Sequence, residues 1–198
     1  MNLPNKISIA RIGMIPIFVC VFFLDIIPFH YGISAIIFVL AACTDFIDGY
    51  IARSRGLVTN LGKFLDPIAD KVLVSTAMIL LLTVFNGLFG KFGDVSAAMY
   101  IMVAICICVI MARELIISAF RQIAAVNGVV MAADKLGKLK TIFQDVAIAA
   151  LIFAIDITGV AGIIIAWIGL VLFIIATILT VWSGVAYVLN NKQVLKDN

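Results

Sequence analysis

Charge is what this sequence has least of. Only 13% of its 198 residues are Asp, Glu, Lys or Arg, while 65% are hydrophobic and the mean hydropathy is +1.24. Soluble domains hold about a quarter charged and about half apolar residues, so this balance excludes a water-soluble fold. Also missing are a polar stretch long enough for a separate soluble domain, a Ser/Gly linker and any low-complexity tract. Residues 1–198 read as one membrane domain. Cysteine is absent from loop positions: Cys20, Cys43, Cys106 and Cys108 all fall inside apolar runs, as lipid-facing or packing thiols. The Cys106-Ile107-Cys108 pair turns its thiols to different helix faces, short of the four converging ligands of a tetrahedral metal site. Pro4 and Lys6 precede an apolar run that continues too far, and lacks the small-residue cleavage site, for a signal peptide; the segment is expected to be retained.

What is present is a series of apolar runs. A helix needs about 20 apolar residues to cross the hydrocarbon layer. Six such spans can be drawn, at 9–29, 33–54, 62–86, 97–120, 139–157 and 162–189. The expected fold is an all-α integral membrane protein, a bundle of six transmembrane helices. With both termini in the cytoplasm, that side holds Lys6, Arg53, Arg55, Lys63, Arg121, Lys135, Lys138, Lys140, Lys192 and Lys196, whereas the opposite side holds only Lys91 among lysines and arginines. Positive loops stay inside, which predicts this orientation in a cell membrane.

Acidic residues within spans are expensive and call for a reason. Asp45 and Asp48 are three apart near the end of the second span; Asp66 and Asp70 are four apart near the start of the third. Each pair shares one helix face, about one turn apart, and a cytoplasmic loop joins the two spans. Four unpaired carboxylates at one depth repel one another and are driven toward protonation. Two divalent cations cancel that charge, and an all-oxygen donor set favours Mg²⁺ or Mn²⁺. A pair of such ions suits in-line displacement at phosphorus. The alternative is structural ion pairing with Arg53, Arg55, Lys63 and Lys71. Gly49, Ala52 and Gly62 accompany the acids and permit close backbone approach, for a flat ligand or for helix packing alone. Pro67 either starts a helix segment capped by Asp66 or kinks a longer one.

The string Asp45-x2-Asp48-Gly49-x2-Ala52-Arg53-x8-Gly62-x3-Asp66-x3-Asp70 resembles, at every specified position, the signature of the CDP-alcohol phosphatidyltransferases. Six spans, with the signature bridging the second and third, also resemble that family. The resemblance implies metal ligation by Asp45, Asp48, Asp66 and Asp70, with Asp70 doubling as general base. It implies CDP-lipid contacts by Gly49, Arg53 and Thr59 within a signature that includes Ala52 and Gly62, and, from Pro4-Asn5-x2-Ser8, by Asn5 and Ser8. The site then belongs at the cytoplasmic interface, where CMP and a soluble alcohol meet a lipid whose tails stay in the bilayer. A homodimer is a further implication, and the expected partners are substrates and membrane lipid, with no nucleic acid.

The acceptor alcohol is read from a second, cationic set. Arg113 and Arg121 in the fourth span, with Lys135, Lys138 and Lys140 at the entry to the fifth, form a candidate pocket for a phosphate on the alcohol. Arg113 and Glu114 interrupt an apolar run; their alternative role is to neutralise partners elsewhere in the bundle. Asn2-x-Pro4-Asn5, Ala112-Arg113-Glu114 and Asp134-Lys135-x-Gly137-Lys138-x-Lys140-Thr141-x2-Gln144 resemble the branch of the family that transfers a phosphatidyl group from CDP-diacylglycerol to glycerol 3-phosphate. Sibling transferases acting on serine, inositol phosphate or phosphatidylglycerol remain alternatives. A cation transporter also buries carboxylates in a small bundle, but here the acids gather at one face and the outer halves of the spans hold few polar residues.

Overall fold

The computed structural model describes residues 3–54, 60–126 and 135–191, with side chains described at 5–44, Gly62, Leu65, 67–124 and 137–191. Lipid offers no partner to backbone N–H and C=O groups, so an apolar chain of this kind closes its hydrogen bonds within helices. Six long helices result: α1 (Leu3–Phe22), α2 (His30–Ser54), α3 (Asn60–Thr83), α5 (Ser96–Val126), α6 (Lys135–Asp156) and α7 (Gly159–Asn190), with a short α4 (Phe85–Leu88) between α3 and α5. No strand occurs among the described residues. Three stretches are long and apolar enough to cross a bilayer by themselves, Asn5–Phe22, Phe85–Ala124 and Gly159–Asn190, and α2 adds the shorter apolar segment His30–Thr44. The chain is a membrane-embedded helical bundle.

Two stretches depart from the expected spans. The first span was expected to reach residue 29, yet α1 ends at Phe22. Residues 23–29 turn instead, because Pro28 and a left-handed Phe29 (φ 65°) reverse the chain despite the apolar Ile26 and Ile27. His30 Nδ1 sits 2.9 Å from the Phe22 carbonyl, placed to donate to the end of α1. The second departure follows α3. The sequence there continues into α4 and a 3₁₀ turn (Phe89–Val95), which tuck Leu88, Phe89 and Phe92 into the core. Elsewhere the ends move by a few residues, with α5 running on to Val126. Pro67 does not start a helix: α3 runs from Asn60 through it to Thr83, so the carbonyl one turn earlier lacks its usual N–H donor.

Polar contacts fasten the end of the bundle that carries Lys91. The Gly32 N–H donates to Asp156 Oδ2 (2.7 Å), which caps the first turn of α2, and Lys91 Nζ donates to the Ile157 carbonyl (2.8 Å) just past α6. Between these ends, packing rather than a solvent-driven hydrophobic force holds the helices. Phe18, Phe38, Leu73, Leu81, Ile148 and Phe173 are wholly buried. The rings of Phe18 on α1 and Phe38 on α2 lie 6.0 Å apart, centroid to centroid. Gly169 lets α7 lie close on α6, since a Cβ there would stand 2.9 Å from Leu151 Cγ. Ile101, Ile105 and Ile116 on α5, with Ile178, Trp182 and Val185 on α7, face outward as a lipid-contacting belt.

Candidate active site and acceptor cavity

The four signature carboxylates lie on two consecutive helices. Asp45 and Asp48 sit in the last turns of α2, and Asp66 and Asp70 in the first half of α3. Helical spacing keeps each pair on one face. The side chains of Asp45, Asp48, Gly49, Ala52, Arg53 and Asp66 lie outside the described ones, as does Thr59 altogether. Among the described residues no three potential metal ligands converge; of the four signature carboxylates, the Asp70 side chain alone is described. The donor set itself is all oxygen and fits a hard divalent cation.

α1 covers this end of the bundle with a polar stripe. Asn5, Ser8 and Arg11, spaced by three, are 4%, 0% and 1% exposed, and Arg11 Nε donates to Thr44 Oγ1 (3.0 Å), one residue before Asp45. Thr44 in turn donates to the Ala41 carbonyl (2.6 Å). The sequence reading found Asn5 and Ser8 but passed over Arg11. Its signal was available: an arginine inside an apolar helix, one turn beyond Ser8.

On the far side of Asp70 a cavity of about 110 Å³ opens between α3, α5 and α6. Its polar wall comprises Asp70, Lys71 and Ser75, Glu114, and Lys140, Thr141 and Gln144. Two ties brace it: Lys140 Nζ donates to Glu114 Oε1, and Lys71 Nζ donates to Ser118 Oγ, which donates to the Glu114 carbonyl (2.5 Å). Gln144 is buried, and the contact of its Nε2 is the weak one to Met78 Sδ at 3.8 Å.

The residues expected to hold an acceptor phosphate are distributed differently. Arg113, Arg121 and Lys138 are absent from the cavity wall. Arg113 crosses toward α7, where Nη2 donates to Ser183 Oγ (3.0 Å), while Nη1 donates to Glu114 Oε1 (3.1 Å). Arg121 donates from Nε to Tyr187 Oη (3.2 Å), with its guanidinium carbon 5.3 Å from the ring centre. Lys138 is exposed on α6, and the Lys135 side chain lies outside the described ones. The helical period explains the exchange: Lys140 and Gln144, four apart, share a face that Lys138 does not.

A second, larger opening of about 600 Å³ runs between α2 and α6, lined by Phe38, Ala42, Cys43, Val146, Ala149 and Phe153 among others. It reaches Cys43, two residues before Asp45, and its lining is apolar apart from Asp145.

A cavity walled by Asp70, Glu114, Lys71 and Lys140 inside a membrane bundle that also carries an apolar lateral groove is a layout suited to an enzyme that joins a lipid to a polar partner. The family model for CDP-alcohol phosphatidyltransferase matches residues 1–182, and the chain belongs to that family. Among its relatives is a protein of Bacillus subtilis (strain 168) named CDP-diacylglycerol--glycerol-3-phosphate 3-phosphatidyltransferase, 42% identical over 165 residues, 76% of each chain. Proteins of the same name from Rickettsia bellii (38% identical, 94% of this chain and 93% of the relative) and Salmonella paratyphi A (37%, 94% and 92%) match nearly end to end.

Proposed function

We propose that the chain transfers a phosphatidyl group from CDP-diacylglycerol to glycerol 3-phosphate, releasing CMP, as a single membrane domain. The observation that carries this reading is the cavity at Asp70, where two lysines and a glutamine border the last signature carboxylate. The names of relatives that cover most of the chain support the same reaction. In that reaction an acceptor hydroxyl oxygen bonds to the lipid-side phosphorus, the bond from that phosphorus to the CMP oxygen breaks, and the hydroxyl proton passes to a carboxylate, a role we assign to Asp70. Lys140 and Lys71 suit the dianionic end of the acceptor as point charges, and Gln144 supplies an amide donor. Acceptors without a phosphate, such as serine or glycerol, offer these lysines less negative charge.

Asp45, Asp48, Asp66 and Asp70 are the residues that would hold the divalent ions on which this family depends, two Mg²⁺ or Mn²⁺ in our reading. When bound, such ions neutralise pyrophosphate charge and stabilise the departing phosphate. Gly49, Ala52, Arg53, Thr59 and Gly62 are assigned to the CDP-lipid, with Asn5 and Ser8 over the nucleotide; buried Arg11 joins them as a further cation near the anionic substrate. The groove between α2 and α6 fits an acyl chain, because it is apolar, open sideways and ends beside the carboxylate-bearing turn of α2. Lys91 as the only lysine or arginine in the loops of the opposite end supports a cell-membrane orientation with both termini cytoplasmic. A homodimer belongs to the same reading.

The decisive assay incubates purified full-length protein with CDP-diacylglycerol and a panel of alcohols and measures CMP release. Glycerol 3-phosphate should be the preferred acceptor. A preference for serine, inositol phosphate or phosphatidylglycerol would replace this reading with a sibling activity.

A further inference from the structure

Arg113 is a cost in search of a reason. It lies within an apolar helix, its side chain is 15% exposed, and it is absent from the cavity that the acceptor reading assigns to the substrate. Its contacts run the other way, to α7. Ser183 is wholly buried; its hydroxyl donates to the Thr180 carbonyl (3.2 Å), which leaves an oxygen lone pair to receive Arg113 Nη2 at 3.0 Å. The next residue makes room for the side chain: a Cβ on Gly184 would stand 3.0 Å from Arg113 Cγ and 3.1 Å from Nε, inside normal contact distance. From its other arm Arg113 holds Glu114 Oε1, the same atom that receives Lys140 Nζ on the cavity wall.

We infer that Ser183 and Gly184 are positioning residues for the acceptor subsite: they seat Arg113, Arg113 orients Glu114, and Glu114 fixes the Lys140 ammonium at the cavity. The inference rests on the acceptor reading given above. Three formal charges, from Arg113, Glu114 and Lys140, sum to one positive, and the only cation of that set on the wall is Lys140. Glutamate restrained by two donors on different helices has little rotational freedom, so the ammonium it holds is preorganised. Without the α7 seat Arg113 swings, Glu114 gains rotamers and Lys140 loses its fixed position. Neither Ser183 nor Gly184 touches substrate in this arrangement.

The test compares KM for glycerol 3-phosphate with KM for CDP-diacylglycerol in the purified full-length protein. Ser183→Ala and Gly184→Ala should each raise the acceptor KM by roughly three- to tenfold, as expected for one weakened charge-assisted contact. The lipid KM should not move. Ser183→Thr keeps the hydroxyl and should restore the wild-type value, while Gly13→Ala, where a Cβ meets nothing within 4 Å, serves as a helix-glycine control. In an Arg113→Met background the two α7 substitutions should add less than about twofold, because the side chain they act through is gone. If Arg113→Met releases no CMP, the contrast between Ser183→Ala and Ser183→Thr carries the test alone. The relay is overturned if both KM values rise together, or if Gly184→Ala keeps its full effect without Arg113. Lys140→Met separates the two levels: a raised acceptor KM there with silent α7 variants removes the relay only, whereas an unchanged KM removes the acceptor reading and the relay with it.

Discussion

A lysine 6% exposed inside a membrane bundle needs a counter-charge, and Glu114 on the neighbouring helix provides one for Lys140. Lys140→Met should therefore raise the KM for glycerol 3-phosphate by roughly ten- to a hundredfold, as for the loss of a charged hydrogen-bond partner, while leaving that for the lipid unchanged. Glycerol without its phosphate should be a poor substrate of the wild type and be hurt much less, which a folding defect could not reproduce. Asp70→Asn should lose turnover but retain CDP-lipid binding, measured by displacement of labelled nucleotide lipid; a parallel fall in both would remove the assignment of the proton to Asp70. At this scale the sequence was informative wherever residue identity and fixed spacing sufficed, as for the signature string that marks the family. It was less so where the choice depended on which way a helix faces. Lys138 and Lys140 are equivalent by composition, and only the rotation of α6 decides that Lys140 meets the cavity. Arg113 stood out as an intramembrane charge, but its direction, toward Ser183, is a tertiary fact.

The helices themselves were legible from apolar length, and their number follows from it. Residues 23–29 were not, because Ile26 and Ile27 read as membrane residues while Pro28 and the left-handed Phe29 break the helix. The expected spans ended at 86 and resumed at 97, so the short α4 and the 3₁₀ turn between them, which bury Leu88, Phe89 and Phe92, were not read from apolar length alone. Two side chains secure this end. Asp156→Ala removes the acceptor for the Gly32 N–H and Lys91→Met the donor to the Ile157 carbonyl. Each should cost about 1–2 kcal/mol, the usual worth of a helix cap or a charged hydrogen bond. Thermal unfolding in detergent would register this as a lower midpoint with acceptor KM unchanged. Gly169→Val should be worse than either, since its first side-chain carbon would stand 2.9 Å from Leu151 Cγ and 3.2 Å from the Leu151 backbone nitrogen, and α6 would have to move away from α7. An undiminished midpoint for Gly169→Val would contradict the close packing of that pair.

Taken whole, the molecule presents an apolar belt to lipid and turns Arg11, Arg113 and Lys140 into the bundle, so it should stay with the membrane pellet through an alkaline carbonate wash. Chelation of divalent ions should abolish CMP release, and Mg²⁺ or Mn²⁺ should restore it; activity that survives exhaustive chelation would break the assignment of the four aspartates. Asp70, which belongs to the family signature, and Lys71, which is tied to Ser118 on α5, are successive residues of one helix and line the same cavity. On the proposed function, a single peptide unit of about 3.8 Å therefore joins the carboxylate assigned to the metals and the hydroxyl proton to a lysine assigned to the acceptor phosphate. Register between the two reactants is written in covalent bonds, which neither thermal breathing of the bundle nor a change of bilayer thickness can stretch. Substitutions can weaken either half, but an inserted residue between them would turn one half by about 100° around the helix and disconnect the two chemistries while each stayed intact.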